Sequence, residues 1–346
     1  MGPEPFAGFR TFSTLHCVTG SMRHIYDLRG QDVGEELILG LGAGVGFVYW
    51  HQQGAPPILG GRGNVSRPGK EGFEIVAGRR TGVAVTFQTT KSARKARADL
   101  LADLTTGTPS MLQVDMGLLP YFDFGADYHF GGHVVAIVGY DQEHDVALVC
   151  DRDEQLHPVA LDVLEQARAS QFQPFPPQHG HWRFDFTQQR APQPSEVLTA
   201  ITEGATAMLK PPIKSLGVAG IRKAADLIPA WPERLEPGEL KAACRNGFIL
   251  IDATGGTGGG LFRYMYGRFL RQAAELTGEG RLHAVAAAFQ EAGDRWQEAA
   301  MLFRQAADQD DPAEALRQVA AILRSIADLE ETMWTRLADV IAAHPA

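Results

Sequence analysis

Cysteine is scarce in this 346-residue chain: Cys17, Cys150 and Cys244 are three, an odd number, and lie far apart. That pattern excludes a disulfide framework. Long apolar runs are missing as well, and nothing approaches the roughly twenty continuous apolar residues of a membrane-spanning helix. Positive charge is in deficit. With 32 Lys and Arg against 41 Asp and Glu, the formal charge is -9, which disfavours nucleic acid or an anionic membrane as the main partner. The opening "MGPEPFAGFRTF" lacks the cationic start and apolar block of a secretion signal, and Pro3 together with the absence of Ser or Thr at position 6 argues against lipidation of Gly2. The expected location is the cytoplasm. No short-period repeat is present.

What remains is a globular composition with two dissimilar halves. From Val33 to about Val163, Val- and Ile-rich runs alternate with helical patterns. "GVAVTF" (82–87), "PSMLQVDM" (109–116), "HVVAIVGYD" (133–141) and "DVALVCD" (145–151) read as strands. The last two are joined by a polar connection of hairpin length and so run antiparallel. "TKSARKARADLLADLTTG" carries helical spacing and stops at Gly107. This half is expected to be an α+β domain with an antiparallel sheet, over residues 1–172. A Pro- and Gln-rich linker over 173–193 follows, with "WRFDF" as one strand within it. Residues 194–346 are expected to be all helical, six segments repeating with the 3.6-residue period. The last of them is introduced by Asp311-Pro312, a helix-starting pair.

Three residues carry a candidate chemistry. Cys17 precedes "VTGSMRHIYDLRG", a helix expected to end at Gly30, and a helix N-terminus lowers a thiol pKa. A buried small hydrophobe is the ordinary alternative for a free cysteine. His133 begins the strongly apolar strand after two glycines. Asp151 ends its partner strand, and a tight hairpin around 141–144 would set the two roughly opposite each other. An imidazole there would take the thiol proton while the carboxylate held its other nitrogen. A hydrogen-bonded strand-start histidine and a turn-capping aspartate are the bland counterparts. His129 and His133 share an H-x-x-x-H spacing, but the "FGG" between them argues against a helix, so no metal site is expected. "GLGAGVGF" (40–47) fails the dinucleotide pattern G-x-G-x-x-G and follows a helical segment, so it reads as a helix end and tight turn feeding the strand "VGFVYW". Asp115 and Tyr121 in "VDMGLLPY" would line a cleft or pair structurally. The Gly-rich stretch Thr254–Gly260, with Arg263 nearby, would bind a phosphate or, as the simpler reading, form a turn that needs close backbone approach.

"LHC", "EELILGLGAGVGF", "PSMLQVDMGLLPY" and "GGHVVAIVGYD" leading to "VCDRD" together resemble the N-terminal domain of the butirosin biosynthesis protein H family. The second half, with "DATGGTGGGLFRYMYGRFL", is similar to the uncharacterised helical domain that accompanies it. The resemblance implies a fold related to papain-like and bacteriocin-processing cysteine peptidases. It further implies an acyltransferase that moves an aminoacyl group from the phosphopantetheine thioester of an acyl carrier protein, or a CoA-like donor, to a small polar amine such as an aminoglycoside. In that scheme Cys17 takes the acyl group, His133 acts as base and then acid, and Asp151 orients the imidazole; no bound cofactor is expected. The chain departs from papain-like enzymes in having no glutamine before Gln31. Oxyanion donors would then be backbone N–H groups near Cys17, aided by Thr11, Ser13 or Thr14. A cysteine peptidase or amidase with the same three residues, and a non-catalytic scaffold on a decayed peptidase fold, are the competing readings. Self-association stays open.

Overall fold

The computed structural model describes residues 3–65, 71–125 and 128–344, so Gly2 lies outside the described residues. In chain order it begins with α1 (Cys17–Leu28), α2 (Glu35–Leu41), β1 (Val45–Trp50), β2 (Ile58–Arg62) and α3 (Phe73–Arg80). Next come β3 (Ala84–Gln88), α4 (Ala93–Leu104), β4 (Ser110–Val114), β5 (His133–Asp141), β6 (Val146–Cys150), β7 (Leu156–Ala160), α5 (Leu161–Ala169) and β8 (His181–Asp185). The helices α6 (Pro194–Leu209), α7 (Gly217–Leu227), α8 (Trp231–Arg234), α9 (Pro237–Ile251), α10 (Arg263–Thr277), α11 (Leu282–Asp308) and α12 (Ala313–Ala342) complete it. The chain is α+β, as its sequence pattern predicts.

The chain packs as two compact units that are not sequential. One comprises residues up to Ile38 together with Thr81–Ala191, and the other Leu39–Arg80 together with the chain from Pro192. The sequence pattern sets the divisions at 172 and 193, with residues 1–172 in one domain. The β1–β2 hairpin packs instead with the helices. Phe47 stacks on Trp296 at 5.5 Å, and the Tyr49 hydroxyl accepts from Trp231 Nε1 at 3.3 Å.

The first unit is built on a six-stranded antiparallel sheet in the order β3-β8-β4-β5-β6-β7. Leu112, Val114, Val135, Ile137 and Val149 form one core with Leu100 and Leu104 of α4 and Leu161 and Leu164 of α5. α4 starts where the Ser92 hydroxyl accepts the Lys95 N–H, and it buries Ala96, Leu100 and Leu104 at four-residue spacing. α1 buries Val18, Met22, Ile25 and Tyr26 on one stripe and packs against β4 and β5. Burying those four side chains contributes on the order of 1.5–3 kcal/mol each, which fixes the helix start at the sheet.

The second unit closes around Phe269, Phe289, Trp296, Phe303 and Trp334, all fully buried. At its centre the Arg263 guanidinium makes two bonds of 2.8 Å to Glu330, and the Trp296 and Trp334 indoles donate to the same carboxylate. Arg263 Nη1 donates to the carbonyls of Gly46 and Leu261, so every guanidinium nitrogen has an acceptor. A guanidinium so engaged is withdrawn from any phosphate, and the Gly-rich stretch serves packing. A Cβ on Gly260 would lie 2.6 Å from the Gly293 Cα. The glycines of "GLGAGVGF" have the same origin, since a Cβ on Gly40 would fall 2.2 Å from the Phe269 ring.

Candidate active site

Cys17 is the first residue of α1 and is partly exposed, whereas Cys150 and Cys244 are fully buried. The three thiols diverge electrostatically. Burial pushes Cys150 up to about 12, with Asp151 and Asp153 adding to it, and pushes Cys244 up to about 11. At Cys17 desolvation acts in the same upward direction. It is outweighed by the charge of His16, a hydrogen bond with His133 and a hydrogen bond with His16, which hold this thiol well below its ordinary value.

His133 is the first residue of β5, is 3 % exposed, and sits opposite Val114 of β4. Its Nε2 lies 2.7 Å from Asp151 Oδ2, which leaves Nδ1 for the thiol. Burial alone would lower the pKa of His133, but the Asp151 carboxylate and then the Cys17 contact raise it. Asp151 is held low in turn. Desolvation opposes this, and His133, the Tyr121 hydroxyl at 2.9 Å and nearby Arg152 overcome it. The Arg152 N–H donates to Asp151 Oδ1 at 2.8 Å, so both carboxylate oxygens are occupied. Phe122 meets the His133 ring edge-on at 5.8 Å, and Tyr121 stacks on His157.

The route by which His133 and Asp151 meet differs from the tight hairpin expected. Tyr140 pairs with Ala147 rather than with residue 144, because Asp141 accepts the Glu143 and His144 N–H groups and lengthens the turn. Val138 is then an extra residue, a bulge between the pairs Gly139–Leu148 and Ile137–Val149. Continued without the bulge, the outer register would set Asp151 opposite Ala136, on the other side of the sheet from His133. The bulge moves it level with Val135, on the same side as His133 and two residues along the strand, within diagonal reach. The N-terminal segment braces the bulge, as the Phe6 N–H donates to the Val138 carbonyl at 2.7 Å.

A second network stands behind Cys17. His16 is the N-cap of α1, 3 % exposed, with Nδ1 at 3.2 Å from Thr19 Oγ1 and at 3.4 Å from the Thr19 N–H. The Thr19 hydroxyl donates to Glu35 Oε2 at 2.8 Å. Glu35 also accepts the backbone N–H groups of Leu15 and His16, and burial raises its pKa against those bonds. Sequence reasoning missed His16, Thr19 and Glu35 as site residues. The one available signal was that His16 directly precedes the thiol.

The remaining candidates separate. Asp115 is fully buried and accepts from Ser170, from His129 and from the N–H groups of Phe130 and Gly117; it ties these residues together and belongs to the structural alternative. Tyr121 joins the site through Asp151. His129 and His133 are each engaged by a different carboxylate. Ser13 donates to Glu154, Thr14 packs its hydroxyl against Gly20, and Thr11 is exposed.

A family model described as butirosin biosynthesis protein H, N-terminal, matches residues 16–152, and one described as a domain of unknown function, DUF4872, matches residues 162–337. The chain carries the N-terminal domain of the butirosin biosynthesis protein H family, followed by DUF4872. The family's N-terminal region fits the papain-like α+β fold, and its match spans His16, Cys17, His133 and Asp151. No curated protein matches the chain. Among the described residues no helix is long and apolar enough to cross a membrane.

Proposed function

We propose that this chain is an acyltransferase of butirosin-type antibiotic biosynthesis, which passes an acyl or aminoacyl group from a thioester through Cys17 to an amine. The observation that carries this reading is the contrast among the thiols: the partly exposed one alone is drawn low, and it touches an imidazole backed by a carboxylate.

The Cys17 thiolate attacks the thioester carbonyl carbon, a C–S bond forms and the π pair moves to oxygen. Collapse re-forms the carbonyl and breaks the donor C–S bond, and the departing thiolate takes the His133 proton. The resulting acyl-cysteine has about the same energy as the donor thioester. The acceptor amine then attacks, gives a proton to His133, and leaves the acyl group as an amide with Cys17 again a thiolate. Asp151 keeps the imidazole aligned through both halves. The donor is the phosphopantetheine thioester of an acyl carrier protein or a CoA-like thioester. The acceptor is a small polar amine, and the chemistry asks for no resident cofactor.

Incubation with acyl-N-acetylcysteamine thioester and with acyl-loaded carrier protein, followed by intact-protein mass spectrometry, is expected to give one acyl adduct that Cys17→Ala lacks. An adduct of the same yield in Cys17→Ala overturns the proposal. Peptide cleavage with no adduct from any thioester replaces it with the peptidase reading.

A further inference from the structure

We propose that Glu35 is a positioning residue of this site: its buried carboxylate gathers the backbone on either side of Cys17, so that the N–H groups of Cys17 and Val18 stay open to the carbonyl oxygen of the bound acyl group. The acyl substrate in this inference rests on the acyl-transfer reading above; the hold of Glu35 on the backbone does not.

The main-chain donors around the thiol are almost all spoken for. Thr14 donates to the Arg152 carbonyl at 2.8 Å. Leu15 and His16 donate to Glu35 Oε1 and Oε2 at 2.8 and 3.0 Å. The Thr19 N–H faces His16 Nδ1 at 3.4 Å, and Gly20 donates to the His16 carbonyl at 2.7 Å. Among the described residues, the N–H groups of Cys17 and Val18 alone in this stretch have no partner. They are the first two of α1, where the helix itself offers no acceptor. A folded chain rarely leaves main-chain donors unmatched, and two left so at a nucleophile await an acceptor from outside. In an α-helix the N–H bonds and the Cα–Cβ bonds both point toward the N-terminus, so the Cys17 side chain and both donors face the same end of α1.

Glu35 fixes that end of the helix. It is the first residue of α2 and is buried, its two oxygens hold successive N–H groups just before the thiol, and Oε2 also accepts the Thr19 hydroxyl just after it at 2.8 Å. One carboxylate thus brackets Cys17 along the chain. Attack by the thiolate forms the C–S bond and moves the π pair to the carbonyl oxygen; Cys17 and Val18 donate to that oxygen through N–H bonds that stay intact, and the proton that is transferred is the one on His133. The Ser13 hydroxyl is turned to Glu154 instead. Alkylation at the sulfur develops no charge on such an oxygen, so it uses the thiolate but not these donors.

The test compares the native chain, Glu35→Gln and Thr19→Val with two probes read by intact-protein mass spectrometry. Iodoacetamide reports the thiolate, acyl-N-acetylcysteamine thioester reports attack at a carbonyl, and the ratio of loading to alkylation cancels any change in thiolate fraction. Glu35→Gln keeps one acceptor oxygen but sets an NH2 group against a main-chain donor. The ratio should fall about 100-fold, the effect of a misplacement of about 1 Å. Thr19→Val loses one bond to the carboxylate and should lower the ratio about fivefold. A merely structural Glu35 would slow loading and alkylation together, and a ratio unchanged in both variants overturns the inference. Labelling with ¹⁵N-cysteine adds a direct readout, because the three cysteines give three amide signals, one assigned by Cys17→Ser. Butyraldehyde, whose oxygen becomes the acceptor when the thiolate adds to its carbon, should move the Cys17 amide proton downfield of its place in the iodoacetamide adduct, and by less in Thr19→Val. Equal positions in the two adducts of the native chain overturn the inference even if Glu35→Gln fails to fold. A native chain that alkylates but loads no thioester removes the acyl-transfer reading, while the aldehyde shift and its reduction in Thr19→Val still decide whether Glu35 aims these donors.

Discussion

Each compact unit buries a charged network, and the two are finished differently. In the helical unit Arg263 and Glu330 are both fully buried and bond each other twice, with two indoles on the carboxylate and two carbonyls on the guanidinium. In the α+β unit the carboxylates of Asp151 and Glu35 are equally well occupied, but the bonds running from them lead to His133, which bears on Cys17, and to Thr19, two residues on from that partly exposed cysteine. A closed network has nothing left to give a ligand and acts on the fold. An open one leaves its terminal group with a displaced proton affinity and acts on chemistry. The difference lies in where the last partner is missing, not in how many charges are buried.

Substitutions should separate the two in kind. Arg263→Met leaves Glu330 buried beside two indoles without its cation, and should cost about 3–5 kcal/mol, read as a fall in the urea midpoint or a failure to accumulate folded protein. An unchanged midpoint would mean that the pair is not a structural keystone. His133→Ala should do the converse. Its ring lies at a strand start beside a partly open site, and thioester loading should fall about 1,000-fold while the urea midpoint moves much less than in Arg263→Met. Equal losses of stability and loading would erase the distinction between the networks.

The sequence made much of the first unit legible, and the reasons are local. β4, β5, β6 and β8 are apolar or alternating runs long enough to register as strands, and α1 shows its buried stripe at helical spacing. β7 was hidden by Pro158, a residue that its edge position tolerates. β2 was hidden by Gly60 and Gly61. Periodicity shows that the β1–β2 hairpin has an apolar face but not which helices cover it, so its place in the second unit was out of reach. Cys17, His133 and Asp151 are legible as candidates because residue type and strand ends are visible in one dimension. The bulge at Val138 was not, since a one-residue register change depends on backbone bracing from Pro5 and Phe6. Glu35 was missed for a related reason: a carboxylate at the start of α2 looks like an ordinary first-turn acid until Thr19 is seen bonded to it.

Tyr121→Phe sharpens the comparison with the smallest change. Its hydroxyl donates to Asp151 Oδ2, the oxygen that also faces His133, and the variant keeps the ring that stacks on His157. Asp151 is drawn below the ordinary carboxylate range despite burial, so its contribution to stability is fully present above that range and is lost as pH falls through its folded value. Removing one donor moves that folded value upward. The native chain should therefore exceed Tyr121→Phe by about 1 kcal/mol in unfolding free energy at pH 7, and the gap should close as acid protonates Asp151 in both. Thioester loading at pH 7 should drop about fivefold, the same energy seen in rate. A stability gap that stays constant from pH 7 into acid would assign the hydroxyl to packing alone and detach Tyr121 from the open network.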